Sequence, residues 1–583
     1  MAITLLNDDL INKIAAGEVI ERPASIVKEL IENSLDAKAS KINIAILNGG
    51  KDYIEVEDNG IGLDKEEIPL AFLRHATSKI KSEDDLHNIY TMGFRGEALP
   101  SIAAVSQITI FSNQTDDIGV RAEIEGGVIK QLDNFACPKG TRIIVKNLFY
   151  NTPARKNFLK TTVTEGNAVY EMVNKYALAR PDISFSFKKD NKLYYKTLGN
   201  GNIKDTVMAI LGQDFAASLI EVDYQGEAYS LSGLISTPDF TRNNRKHQYF
   251  FVNSRPIRSS MLYKALDTSY KGLLISRENP VVILSLKLKP EDVDVNVHPQ
   301  KTEVRFKNEK DIFHVFYEVI KARLTKVEYN PVHKWNTSTV EDNFPAQVRE
   351  PMVRNYEVHN NSFNFAPRVS DNKLGYKPVN NLGHKPPLTI DIEPDLPRPD
   401  YKIIGQYAGS YILMEYEDAL WLVDQHAAEE RIIYAKLKKQ YANNNPSSQL
   451  LAFPLSLELS ALEVDIIMDN IETLARLGFT IELSGHNSII IRDAPAIALG
   501  NEKELITEII ELLQDGKTID IHDKALVTMS CKKAIKAGLR LGYMEMENII
   551  EDLLNTDNYK NCPHGRPTLI KLSHYDIEQM FKR

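Results

Sequence analysis

Four absences bound the chain before any motif is read. No run of about 18 apolar residues occurs, which excludes a membrane-spanning helix by the length a bilayer requires. Cysteine is scarce: Cys137, Cys531 and Cys562 are too few for a disulfide framework and suit a reducing compartment. Met1–Asn12 holds two aspartates and no basic, apolar leader pattern, so a cytoplasmic chain with no membrane contact is expected. Surplus positive charge is also missing. The chain has 70 Lys+Arg against 79 Asp+Glu, and residues 401–583 carry most of the excess, with 27 acidic and 19 basic side chains. Bulk charge therefore does not advertise nucleic-acid binding, and any DNA contact has to come from a local basic groove.

What is present is enough for several domains. At 583 residues and 43% hydrophobic content, three or four full cores are expected. Residues 22–37 organise the first. Ile26, Val27, Leu30, Ile31 and Leu35 recur as one face of a helix, with Pro23 tolerated near its start. Glu29, Asn33 and Asp36 fall together on the opposite face, where a carboxylate and an amide one turn apart can hold a water and a divalent ion. Lys41–Leu47 alternates as a strand, and Ile54–Glu57 is a second strand ended by Asp58-Asn59-Gly60-Ile61-Gly62. The two glycines allow backbone to approach a planar ligand, and Asp58 is an acceptor for an amino group. Gly93-Phe94-Arg95-Gly96-Glu97 has the makings of a phosphate cradle, with a helix starting near Glu97, but it lacks the Gly-Lys-Ser/Thr of a Walker loop. Each element alone also reads blandly, as a solvated helix face, a capped turn or a glycine loop.

Their succession is more specific. Glu29/Asn33, Asp58-x-Gly60-x-Gly62, Gly93–Gly96 and Gly140-Thr141 together resemble the four-motif ATP site of the GHKL class. The finer wording resembles the MutL family of DNA mismatch repair proteins: Ala15–Pro23, Arg74-His75-Ala76-Thr77-Ser78-Lys79, Gly93–Leu99 and Phe149–Arg155. The resemblance implies an α/β (α+β) chain with a GHKL ATPase sandwich over 1–210 and an S5-like transducer domain over 211–330. It implies ATP and Mg²⁺ as cofactors, with Glu29 as general base and Asn33 as the Mg²⁺ ligand. Asp58 and Thr141 would take the adenine, and Thr77, Ser78, Lys79, Gly93, Phe94, Arg95 and Gly96 would cover the phosphates. Matching stretches at Gln248–Arg255 and Asp292–Arg305 imply that Lys301 reaches the γ-phosphate. Arg242, Arg245, Lys246, Arg255 and Arg258, with Tyr249 and Phe250 among them, form a candidate contact for double-stranded DNA, although the aromatics equally suit a strand core.

Residues 331–399 hold ten of the chain's 26 prolines and no sustained apolar period, so an extended linker is expected. Folding resumes over 400–583. Tyr411–Tyr416 and Ala419–Val423 read as paired strands leading into a helix from Asp424, on which His426 and Glu430 share a face at metal-ligand spacing. With Ser530-Cys531-Lys532, Cys562-Pro563-His564 and the terminal Phe581-Lys582-Arg583, these resemble the nicking-endonuclease branch of the family. The resemblance implies Asp424 and Glu430 as catalytic groups, and His426, Glu430, Cys531, Cys562 and His564 as ligands of Zn²⁺ or Mn²⁺. One position departs: the branch's second helical Glu is Ala435 here, which leaves open a matchmaker scaffold that does not cut. The resemblance further implies a homodimer recruited by mismatch-bound MutS. Ser448–Pro454 resembles, with shifted apolar positions, a peptide that docks on the replication sliding clamp, and equally reads as a loop before a strand. Residues 455–525, with a helix over Leu462–Leu477, suit a regulatory subdomain.

Overall fold

The computed structural model describes residues 16–17, 19–74, 76–77, 92–93, 96–115, 117–274, 278–294, 304–325, 401–485, 487–514, 521–533 and 539–581. The expected linker and the residues Ser78, Lys79, Phe94, Arg95 and Lys301 lie outside them.

The first helix, α1 (Pro23–Asp36), buries the apolar face that its spacing predicts, with Ile26, Val27, Leu30, Ile31 and Leu35 all inside. Arg22 at its N-cap makes no side-chain cap; its guanidinium instead pairs with Glu165, 2.9 Å away. Eight strands follow: β1 (Lys41–Leu47), β2 (Tyr53–Asp58), β3 (Gln107–Asn113), β4 (Gly119–Glu125), β5 (Val128–Phe135), β6 (Gly140–Lys146), β7 (Ser184–Lys189) and β8 (Lys192–Lys196). They form one sheet in the order β5-β4-β3-β6-β2-β1-β7-β8, antiparallel except where β1 runs beside β7. The long helix α2 (Thr162–Ala179) packs on α1, and both contribute to the sheet's core. The period-two burial of β1 and β2 places every second residue in that core.

A second, five-stranded sheet contains Leu219–Gln225, Tyr229–Ser236, Gln248–Val252, Arg255–Ile257 and Val282–Leu288. The helices Ser260–Ser269 and Glu309–Thr325 pack together against it around Phe250, Leu266, Leu284 and Phe316. Tyr249 and Phe250 are strand residues, 4% and 1% exposed, so the aromatic half of the expected DNA cluster is core.

After residue 400, the antiparallel strands Lys402–Tyr407, Tyr411–Tyr416, Ala419–Asp424 and Leu569–Ser573 form a third sheet. The helices α3 (Gln425–Ala442) and Tyr543–Leu554 pack with it. A three-stranded sheet of Ser448–Glu458, Thr480–Leu483 and Ser488–Pro495 carries its own helices. The expected helix over Leu462–Leu477 is two, Ala461–Asp469 and Ile471–Arg476. Asn470 separates them; its Nδ2 donates to the Ile466 carbonyl and competes with the helical ladder there. Ser448–Pro454 is part of a strand whose register breaks between Leu450 and Leu455. Among the described residues, no helix is long and apolar enough to cross a membrane.

Candidate functional site

Two sites emerge. The first is a cavity of about 1660 Å³ whose walls include Glu29, Asn33, Asp58, Gly62, Thr77, Gly93, Gly96 and Thr141. Its floor is the polar face of α1. Glu29 is partly open, and its Oε1 accepts from the Lys28 ammonium at 2.8 Å. Asp36, one turn past Asn33, accepts the Met92 N–H on Oδ1 at 2.8 Å and the Gly93 N–H on Oδ2 at 3.1 Å. One helix thus presents Glu29 and Asn33 to the cavity and anchors the start of the glycine segment.

The opposite corner is built by strand register. Asp58 on β2 faces Thr141 on β6 across the ladder. Asp58 Oδ2 accepts from Ser34 Oγ and its Oδ1 from the Gly60 N–H, each at 2.8 Å. Burial pushes the Asp58 carboxyl above its ordinary value despite those donors. Thr141 shares a hydroxyl contact of 3.1 Å with Ser112. The glycines here serve close approach. Gly62 has φ +73°, and a Cβ on it would lie 2.1 Å from the Asn113 carbonyl oxygen. Gly140, at φ +118°, would put a Cβ 2.0 Å from the Asp58 carbonyl oxygen. At Gly96, a Cβ would lie 2.3 Å from the Ala76 carbonyl oxygen, and Thr77, Gly93 and Gly96 all line the cavity.

Four of the five candidate DNA residues, Arg245, Lys246, Arg255 and Arg258, line the same cavity, and Arg242 does not. Arg242 lies over the Phe240 ring at 4.5 Å and pairs with Glu511 at 3.3 Å. Arg255 is 7% exposed and donates to the Met92 carbonyl at 3.2 Å. Arg245 pairs with Asp267 at 2.8 Å but keeps an exposed side chain, Arg258 is exposed, and Lys246 is half-buried at the cavity wall.

The second site lies at the start of α3. Asp424 is the N-cap, its carboxylate accepting the Ala427 N–H at 3.0 Å. One turn on, His426 Nε2 stands 3.2 Å from Glu430 Oε1, and His564 Nδ1 stands 3.3 Å from Glu430 Oε2. The ligand atoms of His426, Glu430 and Cys531 lie within 4.8 Å of one another, as do those of Glu430, Cys562 and His564. The Cys562–His564 turn is tied to α3, since Arg431 Nε donates to the Asn561 carbonyl at 2.7 Å. Burial raises the pKa of Glu430, but hydrogen bonding from Cys531 and the histidine charges outweigh it and hold the carboxyl below its ordinary value. The two triads share Glu430, and together they offer two thiols, two imidazoles and one carboxylate, donor types suited to zinc.

Sequence reasoning missed Ser34, Asp36 as an anchor, Ser112 and Tyr176. Ser34 and Asp36 lie inside the helix motif, but nothing in their spacing says which loop or strand they meet.

Family models match three stretches of the chain. The family model "Histidine kinase-, DNA gyrase B-, and HSP90-like ATPase" matches residues 21–138. "DNA mismatch repair protein, C-terminal domain" matches 207–325, and "MutL C terminal dimerisation domain" matches 404–541. The DNA mismatch repair protein MutL of Syntrophomonas wolfei is 49% identical over 589 residues, covering all of both chains. That of Caldanaerobacter subterraneus is 38% identical over 590 residues, all of this chain and 99% of its own. Among solved structures, an Aquifex aeolicus MutL ATPase domain complexed with ADP is 26% identical, with a TM-score of 0.38, and covers 54% of this chain and 100% of its own.

Proposed function

The chain belongs to the MutL family of DNA mismatch repair proteins, with a GHKL-type ATPase domain and a MutL dimerisation domain, and on that premise we propose an ATP-switched clamp that nicks DNA. The observation that carries the ATPase half is the convergence of Glu29, Asn33, Asp58 and Thr141 on one cavity. Asp58 accepts from the adenine amino group, and Thr141 stands beside it. Glu29 orients and deprotonates the attacking water. Asn33 has an amide oxygen suited to Mg²⁺, which when bound spreads the negative charge of the phosphates. The Gly93 and Gly96 backbone lies near the phosphate end, and Asp36 holds Gly93 there.

A homodimer is supported by the dimerisation domain, and an apolar stripe on its sheet suits that role. Leu413, Leu422 and Ile570 are cross-strand neighbours on the face away from the core. The exposed Arg245 and Arg258, with Lys246, form the DNA-facing part of the basic cluster, and MutS recruits the dimer to a mismatch. Leu450 and Phe453 are 70% and 89% exposed on the broken strand, which supports docking of that segment on a sliding clamp.

The nicking half rests on the His426/Glu430/Cys531/Cys562/His564 cluster. These residues would hold a zinc or manganese ion, and the Lewis acidity it would supply is what water activation and leaving-group stabilisation require. The chain's own contribution is to hold the ligands on one rigid helix and one tight turn. A second reading, a matchmaker that does not cut, is favoured by Ala435 and by the commitment of Asp424 to capping α3. A supercoiled-plasmid assay with Mn²⁺ separates them. Nicking by the wild type and none by Asp424→Asn supports the nuclease; no wild-type nicking with any divalent metal leaves the scaffold.

A further inference from the structure

The floor of the ATP cavity contains a network that the residues assigned so far do not use. Lys28 lies on α1 beside Glu29 and one turn before Glu32. Its ammonium stands 2.8 Å from Glu29 Oε1 and 3.3 Å from Glu32 Oε1. The same Glu32 oxygen accepts from the Tyr176 hydroxyl of α2 at 2.6 Å. Glu32 and Tyr176 are 1% and 2% exposed, whereas the Glu29 side chain is 21% exposed at the cavity wall.

We propose that Lys28 is a positioning residue for Glu29, fixed from behind by Glu32 and Tyr176. The proposal rests on the reading of Glu29 as the base that activates water. A plain i, i+4 ion pair between Lys28 and Glu32 would not need Glu29, yet the shorter contact is to Glu29. Glu32 Oε2 meets no donor among the described residues, so the buried carboxylate directs its hydrogen bonding through the one oxygen that Tyr176 and Lys28 share. A carboxylate that is almost wholly buried is costly unless its partners are fixed, and here Tyr176 fixes it from a second helix. Burial works against the Lys28 ammonium, but the two carboxylates outweigh it and push its pKa above the ordinary value. The consequence for Glu29 is geometric. One oxygen is held by Lys28, which leaves Oε2 to meet the water, and the ammonium offsets repulsion between this carboxylate and the incoming triphosphate.

The test is steady-state ATP turnover and ADP affinity of the full chain, with Glu29→Gln as reference. Lys28→Gln should lower kcat about 10- to 100-fold while KM for ATP and Kd for ADP stay within about twofold. Lys28→Arg should recover most of the loss. Tyr176→Phe should lower kcat about 3- to 10-fold and add nothing on top of Lys28→Gln, because both act through one contact. Wild-type kcat in Lys28→Gln would overturn the proposal. So would equal losses in the Gln and Arg variants accompanied by a lower melting midpoint, the mark of a purely structural pair. Glu29→Gln tells the two levels apart. If it retains turnover, the base reading falls and the proposal with it. If it abolishes turnover while Lys28→Gln does not, the proposal alone falls.

Discussion

Replacing Asp58 by Asn tests how the cavity reads its base. The carboxylate has about four acceptor positions, and three are already used, by the Ser34 hydroxyl and by the Gly60 and Thr141 N–H groups. Asp58 lines the cavity, and the proposed function gives its remaining acceptor position to an exocyclic amino group. An Asn keeps the shape but turns one oxygen into an NH₂ donor. The Ser34 hydroxyl also reaches the Leu30 carbonyl and can accept from that NH₂, so it is the Gly60 N–H or the adenine amino group that confronts a donor. A buried donor left facing another donor costs about 1–3 kcal/mol, and mismatched polar recognition sits at the upper end of that range. ATP and ADP affinity should therefore fall about 10- to 100-fold, at 1.4 kcal/mol per factor of ten. The same NH₂ is a partner for a carbonyl, so GTP should lose less or gain. Inorganic triphosphate, which has no base, should bind equally to both proteins. Isothermal titration with ADP, GTP and triphosphate reads all three. Unchanged ADP affinity, or equal losses for ADP and triphosphate, would refute the assignment of Asp58 to the base.

Gly140→Ala should cost at least about 3 kcal/mol in denaturant unfolding and abolish ADP binding, because strain at positive φ adds to a clash with the Asp58 backbone. Gly201→Ala, at φ +81° with nothing within 4 Å, should cost only about 1 kcal/mol. Glu511 should make stability depend on pH. Burial pushes its carboxyl up to about 7 against the pull of Arg242, with Glu508 and Glu463 adding to the rise. Its pKa in the folded chain is raised, so the folded state holds the proton more tightly, and stability falls as pH rises from the ordinary carboxylate range through about 7. The loss reaches roughly 3 kcal/mol by pH 8. The melting midpoint of Glu511→Gln should overtake the wild type across that window, and parallel pH curves would contradict it.

Much of this was readable in the amino-acid order. The α1 spacing gave the correct buried face, and Lys41–Leu47 formed the strand that its alternation predicts. His426 and Glu430 fell on one helix because i, i+4 geometry is local. What could not be read is what distant segments bring. Tyr176 meets Glu32 across 144 positions, and the meeting depends on how α2 packs on α1. Arg242 and Arg255 read as a basic cluster, but tertiary packing puts one over Phe240 and buries the other. The single helix expected over Leu462–Leu477 failed at Asn470, whose side chain offers the backbone an alternative that periodicity does not register.

The pairing of Asp58 with Thr141 has one further consequence. The two face each other on neighbouring strands near the middle of the eight-stranded sheet, so the end of the pocket proposed to take the base is part of a hydrogen-bonded ladder. The other end is made by Thr77, Gly93 and Gly96 on connecting chain. A nucleoside can thus be admitted without regard to its tail, while the count of phosphates is judged elsewhere. Spent and fresh nucleotide would dock in one pose, and only the far end would report which of them had arrived.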